Sequence, residues 1–239
     1  MRVHYIKLET KPPKAESRAT VGGRPIVSGD QSWPHCKLCK QRMVFFFQLD
    51  IDKESDLPLK PGSHLLVFMC ATHNDMPSSL LEPGERNLPK DYWTRDFGHY
   101  RIILNKSPRN ETRLEEEGLL KPIGVKYISH EEDIEWDGLI ERGTLGFKLG
   151  GVAYWEADSE APICSCGAEM VFTCQVPPRF VFPKTPEAPV QPDPVQEDGY
   201  ALFTGRAVYI FACKDQCTPF SMYAVTQESR EETRRTQSA

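Results

Sequence analysis

The sequence lacks any long apolar run, and this absence limits where the protein is expected to act. No window approaches the ~20 apolar residues that a membrane-spanning helix needs. Residues 1–10 are charged and lack the apolar stretch of a secretory signal peptide. We therefore expect a cytoplasmic protein with no membrane partner. Cytosolic thiols are kept reduced, so the eight cysteines are expected to serve metal or redox chemistry and not disulfides.

The sequence also lacks the short motifs of well-known enzyme classes. It contains no GxSxG, HExxH, Walker A, kinase or dinucleotide-binding pattern. The acidic run at 130–137 is predicted to be a solvated loop, although its carboxylates leave a catalytic alternative open. The sequence therefore assigns no catalytic and no cofactor-binding residue. The histidines outside the cysteine-rich segments are scattered, with no evident nucleophile partner: His4, His64, His99 and His130.

Positive charge is in deficit. The chain has 29 Lys and Arg against 34 Asp and Glu, a net charge of −5. Binding to a phosphate backbone depends on clustered Lys and Arg, so nucleic acid is not an expected partner. A protein partner, and a basic one in particular, suits this charge better, with plain solubility as the simpler explanation.

Two segments of the chain resemble each other. The pairs Gly22-Gly23 and Gly150-Gly151 are each followed by a cysteine, Cys36 and Cys164, at the same interval of 13 positions from the second glycine. Further pairs match in the same order: Val3–Ile6 with Val125–Ile128, Cys39 with Cys166, Met43 with Met170, Gln48 with Gln175, and Val67–Cys70 with Ile210–Cys213. Chance does not readily produce such a series at nearly constant spacing. The series predicts a tandem duplication with a boundary at 116–121.

Short β-branched and aromatic runs bounded by Gly, Pro, Asn and Asp predict strands, whereas helical patterns are sparse. The predicted class is mainly β, with α+β as the alternative, in two pseudo-symmetric halves. The first β-rich repeat is expected at 1–116 and the second at 121–239, with a proline-rich exposed insertion at 183–198. Strict alternation would place Phe45, Phe47 and Leu49 on one face of a central strand and Phe46 on the other.

In the first repeat, Cys36 and Cys39 form a CxxC pair and Cys70 and His73 a CxxH pair. Two short pairs on separate turns are how a chain surrounds a tetrahedral zinc ion with four donors. His35 can substitute for His73 on spacing alone. Two other interpretations are packed buried thiols and a thioredoxin-like redox pair, although the pair precedes a strand and lacks the βαβ context of redox sites.

The second repeat offers a weaker set of four cysteines. Cys164 and Cys166 form a CxC pair, and Cys213 and Cys217 a CxxxC pair. A CxC pair directs two side chains to one ion less readily than CxxC does, so a decayed site is the alternative to a second zinc. Cys174 aligns with Phe47 and is predicted to be a packed core residue.

The order of Gly-Gly, Cx(x)C, Met-Val-Phe with Gln, and Phe-x-Cys resembles the YwqG-like bacterial family of unknown function. It is more distantly similar to the programmed cell death protein 2 family. In that second family a Gly-Gly motif precedes CxxC and an apolar strand ending in Gln-Val, as at Gly22-Gly23, Cys36, Cys39 and Gln48. The resemblance implies a chaperone-like role toward a newly made ribosomal protein. The CxC of the second repeat departs from the pattern.

Three functions follow as hypotheses. The first is a non-catalytic, chaperone-like module that binds a protein client, with structural zinc in its cysteine clusters. The second is an immunity or antitoxin-like protein that neutralises a toxin. The third is an enzyme with a site between the two repeats, which requires converging His and carboxylate groups in a polar cleft. The client and the oligomeric state do not follow from the sequence.

Overall fold

The computed structural model describes residues 2–29, 31–75, 85–94, 98–106, 110–137, 140–156 and 161–228. Within these ranges the chain is almost entirely β, which confirms the predicted class. The helical segments described are two three-residue 3-10 turns, Tyr92–Thr94 and Phe203–Gly205, so the α+β alternative is not what the described residues form. None of the helices in this part of the chain is long and apolar enough to span a membrane.

The strands are short, as the frequent Pro, Gly and Asp residues dictate. In chain order they are β1 (Val3–Leu8), β2 (Thr20–Val21), β3 (Ile26–Ser28), β4 (Val44–Ile51), β5 (Ser63–Met69), β6 (Tyr100–Asn105), β7 (Glu111–Arg113), β8 (Ile123–His130), β9 (Glu135–Asp137), β10 (Ile140–Arg142), β11 (Lys148–Gly150), β12 (Met170–Val176), β13 (Phe182–Pro183), β14 (Gly199–Tyr200), β15 (Ala207–Cys213) and β16 (Met222–Gln227).

Ten of these strands form one antiparallel sheet, in the order β16-β15-β12-β11-β1-β8-β2-β4-β5-β6. The sheet curls until its outer strands β6 and β16 contact each other. Leu104 in β6 donates its backbone N–H to the carbonyl of Pro219, which precedes β16, at 2.8 Å. The remaining described strands pair in twos, as β3 with β7, β9 with β10 and β13 with β14.

The large sheet is divided evenly about its centre, with four strands of one predicted repeat on each side of a central pair. β1 and β8 lie side by side in the middle, with β2-β4-β5-β6 beyond β8 and β11-β12-β15-β16 beyond β1. The first strand of each predicted repeat therefore lies beside the second strand that the other predicted repeat contributes to this sheet, β1 beside β11 and β8 beside β2. This order is what two related units predict; the tandem duplication and its boundaries, 1–116 and 121–239, stay a prediction.

Bulges interrupt β4 and β12 at matching places, between Phe45 and Phe47 and between Phe172 and Cys174. The prediction that Phe45 and Phe47 share one face was therefore wrong. Phe45 packs in a small core with Trp33, whereas Phe46, Phe47 and Leu49 all belong to the main core. An extra residue in one strand of a pair shifts the alternation of the side chains that follow it.

The proline-rich segment at 183–198 connects β13 to β14. Most of its residues are exposed, but Ala188 and Gln191 are buried. The side chain of Gln191 accepts a hydrogen bond from the Ala201 N–H at 2.9 Å and donates to the Ala201 carbonyl at 3.0 Å. These contacts hold the segment against the body of the protein.

Candidate metal centres

The first cluster consists of Cys36, Cys39, Cys70 and His73. Their four donor atoms all lie within 4.8 Å of one another. The Nδ1 atom of His73 is 3.6 Å from Cys36 Sγ and 3.5 Å from Cys70 Sγ, and Cys39 Sγ is 3.6 Å from Cys70 Sγ. The structure thus brings together the four residues that the CxxC and CxxH spacings singled out. His35 lies outside the cluster; it is exposed and pairs with Arg42 through the backbone.

The donor separations match a tetrahedral zinc site. With Zn–S near 2.3 Å and Zn–N near 2.0 to 2.1 Å, a tetrahedron requires about 3.8 Å between two sulfurs and about 3.6 Å between sulfur and nitrogen. Three of the six separations between donors are 3.5 to 3.6 Å, and the others lie within 4.8 Å. All of these thiols are free, since a disulfide would bring its sulfurs to about 2.05 Å. The four residues therefore fit a metal ion whose four ligands all come from the protein.

Backbone hydrogen bonds shape the loop that carries the first two cysteines. The N–H of Cys36 donates to the Gln41 carbonyl at 2.8 Å, and the N–H of Lys40 donates to the Cys36 carbonyl at 2.8 Å. Lys40 completes the turn with a positive φ of 63°. On the other side, Cys70 follows β5 directly and its N–H donates to the His99 carbonyl at 2.7 Å. The cluster therefore ties the approach to β4 to the end of β5.

The electrostatics of this cluster favour a thiolate at Cys39. A hydrogen bond from the Gln41 backbone, helped by neighbouring cluster atoms, lowers the pKa of Cys39 to about 7. Burial raises the pKa of Cys70 to about 11. The thiolate is the form that binds metal, so of these two thiols Cys39 is the one more readily deprotonated for a metal ion.

The second cluster consists of Cys164, Cys166, Cys213 and Cys217, whose sulfurs also lie within 4.8 Å of one another. Cys164 Sγ is 3.6 Å from Cys217 Sγ, and Cys166 Sγ is 3.6 Å from Cys213 Sγ. The short CxC spacing thus does not prevent convergence, because Gly167 closes the turn with a hydrogen bond from its N–H to the Cys164 carbonyl at 2.8 Å. This cluster also could hold a metal ion.

Trp93 contributes to the second cluster, and no spacing in the sequence predicts it. Its indole N–H donates to Cys164 Sγ at 3.3 Å. Burial raises the pKa of Cys164, but hydrogen bonds from the Cys166 backbone and Trp93 outweigh burial and leave that pKa below its ordinary value. Burial raises the pKa of Cys213 and Cys217.

Cys174 lies outside both clusters, as predicted. It is fully buried in the main core on β12. Burial raises its pKa, so it stays a neutral thiol that packs as a small apolar side chain.

Sequence reasoning missed a contact between His4 and Ser129. The two residues are direct partners across β1 and β8, and His4 Nδ1 lies 2.7 Å from Ser129 Oγ. The other ring nitrogen is 4.0 Å from Asp52 Oδ1, which is too long for a hydrogen bond. His4 is buried, whereas Ser129 is exposed. Only the pairing of β1 with β8 reveals this contact, and it falls between the two predicted repeats.

The predicted solvated loop at 130–137 is wrong in two respects: His130 and Glu135–Asp137 belong to strands β8 and β9, and one residue of the run is buried. Asp133 is buried, while its neighbours at 130–132 and 134–135 are exposed. Its Oδ2 atom accepts a hydrogen bond from Lys148 Nζ at 2.6 Å, and both side chains are fully shielded from solvent. A buried carboxylate of this kind requires such a partner.

Comparison with known proteins adds no relative. No protein-family model matches the chain, and no curated protein matches it either. The resemblance to the YwqG-like and programmed cell death protein 2 families therefore stays a prediction from the motifs.

Proposed function

We propose that both clusters bind zinc as structural ions in a non-catalytic, chaperone-like module that binds a protein client. The observation that carries this proposal is the number of donors: each cluster offers four protein ligands within 4.8 Å. Structural zinc sites are closed by four protein ligands, whereas catalytic sites keep three and leave a position for water or substrate. An ion with four protein ligands has no open coordination position at which to activate a substrate.

Exposed apolar side chains on the cluster loops support a partner surface. Leu38, between the first two cysteines, is 63% exposed, and Phe220, just beyond Cys217, is 38% exposed. The guanidinium of Arg101 lies over the Phe220 ring at 5.2 Å. Apolar side chains that metal loops hold at the surface are suited to contact a protein. The net charge of −5 favours a basic client.

Metal content tests the first half of the proposal. We expect the purified full chain to contain two zinc ions per molecule by inductively coupled plasma mass spectrometry. The variants Cys36→Ser and Cys164→Ser should each retain one. Cys174→Ser is the matched control, because Cys174 is a buried cysteine outside both clusters. Absence of zinc from the wild-type chain after expression in zinc-supplemented medium would contradict the assignment.

Client capture tests the second half. The tagged full chain and its Leu38→Glu variant should be recovered from the native cell, and their bound proteins compared by quantitative mass spectrometry. We expect a client that is enriched with the wild-type chain and lost with the variant, while zinc content is unchanged. A toxin as that client would instead support the immunity-type function. Identical protein profiles for both chains would contradict a role for the first cluster loop.

An enzyme with a site between the repeats is the second candidate, and the contact of His4 with Ser129 favours it. A histidine 2.7 Å from an exposed serine hydroxyl is the pairing that activates a nucleophile. A fluorophosphonate probe should then label Ser129 in the wild-type chain but not in Ser129→Ala or His4→Gln. No labelling of the wild-type chain would reject this candidate.

A further inference from the structure

Asp133 fills a carboxylate-binding turn in the second predicted repeat. Its Oδ2 atom accepts hydrogen bonds from Lys148 Nζ at 2.6 Å and from the Val152 N–H at 2.7 Å. Gly151 allows this approach, because a Cβ atom there would lie 2.2 Å from Oδ2. The turn after β11 is thus shaped around a negatively charged group.

The same turn occurs after β2. Thr20 is the register partner of Gln48, as Lys148 is of Gln175. Six positions beyond Thr20, the backbone N–H of Ile26 donates to the Gln48 side-chain oxygen at 2.9 Å. Six positions beyond Lys148, the backbone N–H of Tyr154 donates to the Gln175 side-chain oxygen at 2.7 Å. The two glycines in each turn all have positive φ. Thr20, Gly23 and Arg24 therefore occupy the positions of Lys148, Gly151 and Val152.

No carboxylate of the described chain fills the first turn. Pro122 packs over Gly23, where a Cβ atom would lie 3.0 Å from the Pro122 Cβ, and beside it lies a cleft of about 260 Å³ whose lining includes Thr20, Gly22, Gly23 and Arg24. The described residues supply no acceptor for the Arg24 N–H, whose counterpart Val152 binds Asp133. Apolar walls complete the cleft: Pro13, Leu120 and Pro122.

The charge of the cleft suits an anion. Lys14, Arg24 and Arg113 line it, and Glu117, the one carboxylate in its lining, is paired with Arg24 at 3.0 Å. The guanidinium of Arg113 is partly buried and donates to two backbone carbonyls, those of Arg24 at 3.0 Å and Ser17 at 2.8 Å. The described residues give Arg113 no carboxylate partner. Three cations and one carboxylate leave this surface positive in a chain of net charge −5.

We propose that this cleft binds the carboxylate of an acidic side chain on a partner protein, which accepts a hydrogen bond from the Arg24 N–H as Asp133 does from the Val152 N–H. Arg113 and the Arg24 N–H hold the carboxylate, and the apolar walls contact the residues beside it. The site is separate from both metal clusters and from Ser129, and it does not rest on the function proposed above.

The chain itself supplies the probe. An acetylated, amidated peptide that copies residues 131–135, Glu-Glu-Asp-Ile-Glu, is titrated into the full chain and followed by two-dimensional amide NMR. We expect saturable shifts at Gly22, Gly23 and Arg24. The matched control, the amide peptide Gln-Gln-Asn-Ile-Gln, has no side-chain carboxylate and should bind at least about tenfold more weakly. The variants Arg113→Gln and Lys14→Glu should weaken the Asp peptide likewise; Lys14 is exposed, so its variant serves if Arg113→Gln fails to fold.

Three results would overturn the proposal. The first is no saturable shift at the cleft up to about 10 mM Asp peptide. The second is equal affinity for the Asp peptide and the amide peptide, or for the wild-type chain and both variants. The third is an equal response to acetate alone at the same concentration, which would assign the cleft to small carboxylates and not to a protein. The zinc measurement and the client capture with Leu38→Glu test other residues. Negative results in those two experiments therefore do not contradict this proposal.

Discussion

Gly151 and Asp133 meet so closely that a Cβ atom on the glycine would lie 2.2 Å from the Oδ2 atom of the aspartate. Gly151 also has a φ of +72°, a conformation that costs an L-residue about 1 to 2 kcal/mol. We therefore expect Gly151→Ala to displace the carboxylate from Lys148 and to lower the free energy of unfolding by more than about 3 kcal/mol, because breaking a buried ion pair costs about 3 to 5 kcal/mol.

Gly29→Ala is the matched control for this substitution. Gly29 has a positive φ of 56°, but a Cβ atom there would meet nothing within 4 Å. Its substitution should cost only the backbone strain of about 1 to 2 kcal/mol. Urea unfolding of both variants measures the difference, and equal losses would mean that the carboxylate moves aside without cost.

The second prediction concerns two cysteines. Cys39→Ser should lower the free energy of unfolding by more than about 3 kcal/mol, because structural zinc contributes about 10 to 16 kcal/mol to the folding of zinc-finger peptides. Cys174→Ser should cost about 1 to 3 kcal/mol for one buried hydroxyl, with zinc content unchanged. Melting temperatures and zinc content are measured in parallel. Equal melting losses with unchanged zinc in the Cys39 variant would show that the cluster is packed thiols.

The two cysteine clusters were predictable because their candidate ligands occur in short pairs. A CxxC or CxxH pair places two donors on one turn, so only the meeting of two turns remains to be supplied by the fold. Trp93 and Cys164 meet over 71 positions of sequence, and no local pattern indicates such a contact.

The strands were predictable from their composition, but their pairing was not. A run such as Val3–Leu8 indicates a strand, but the run does not reveal that its neighbours in the sheet are β8 and β11, from the second predicted repeat. The bulge at Phe46 was not predicted for a related reason. An extra residue does not change the run of apolar residues in the sequence, but it changes which face of the sheet the following side chains occupy. Asp133 was misjudged because its exposed neighbours dominate the acidic run and Lys148 is distant from it in the sequence.

The third prediction concerns pH and His64. Burial, together with the nearby charge of Arg18, lowers the pKa of His64 to about 3, from 6.5 in the unfolded chain. Between these two values the unfolded state binds a proton that the folded state does not, so the free energy of unfolding falls as pH is lowered from 6.5 toward 3. The slope from this residue is at most about 1.4 kcal/mol per pH unit.

His64→Gln tests that slope. A glutamine amide can replace the hydrogen bond that His64 Nε2 makes with the Arg18 carbonyl at 2.9 Å, but it does not titrate. Urea unfolding of both chains at pH 7, 6 and 5 should show a shallower decline for the variant. Loss of zinc at low pH affects both chains alike, so it does not enter the difference. Parallel curves would contradict the prediction.

The last prediction concerns the turns that close the two cluster loops. Lys40 and Gly167 each follow the second cysteine of their loop, and both have positive φ, 63° and 92°. The first loop is one residue longer, so Lys40 donates to the carbonyl four residues back, whereas Gly167 donates three residues back. The shorter turn forces Gly167 beyond the left-handed region of about +50° to +70° that other residues tolerate.

The two positions should therefore respond unequally to exchange. Lys40→Gly should raise the free energy of unfolding by up to about 1 kcal/mol, because glycine adopts a left-handed φ without the steric cost of a Cβ atom. The gain is small because a φ of 63° lies within the range that other residues tolerate. Gly167→Lys should lower it by about 2 kcal/mol or more, because a φ of 92° suits only glycine. Urea unfolding of the zinc-loaded chains measures both changes. Since neither residue is a ligand, zinc content should stay the same, and a loss of zinc on Lys40→Gly would mean that its side chain supports the ion.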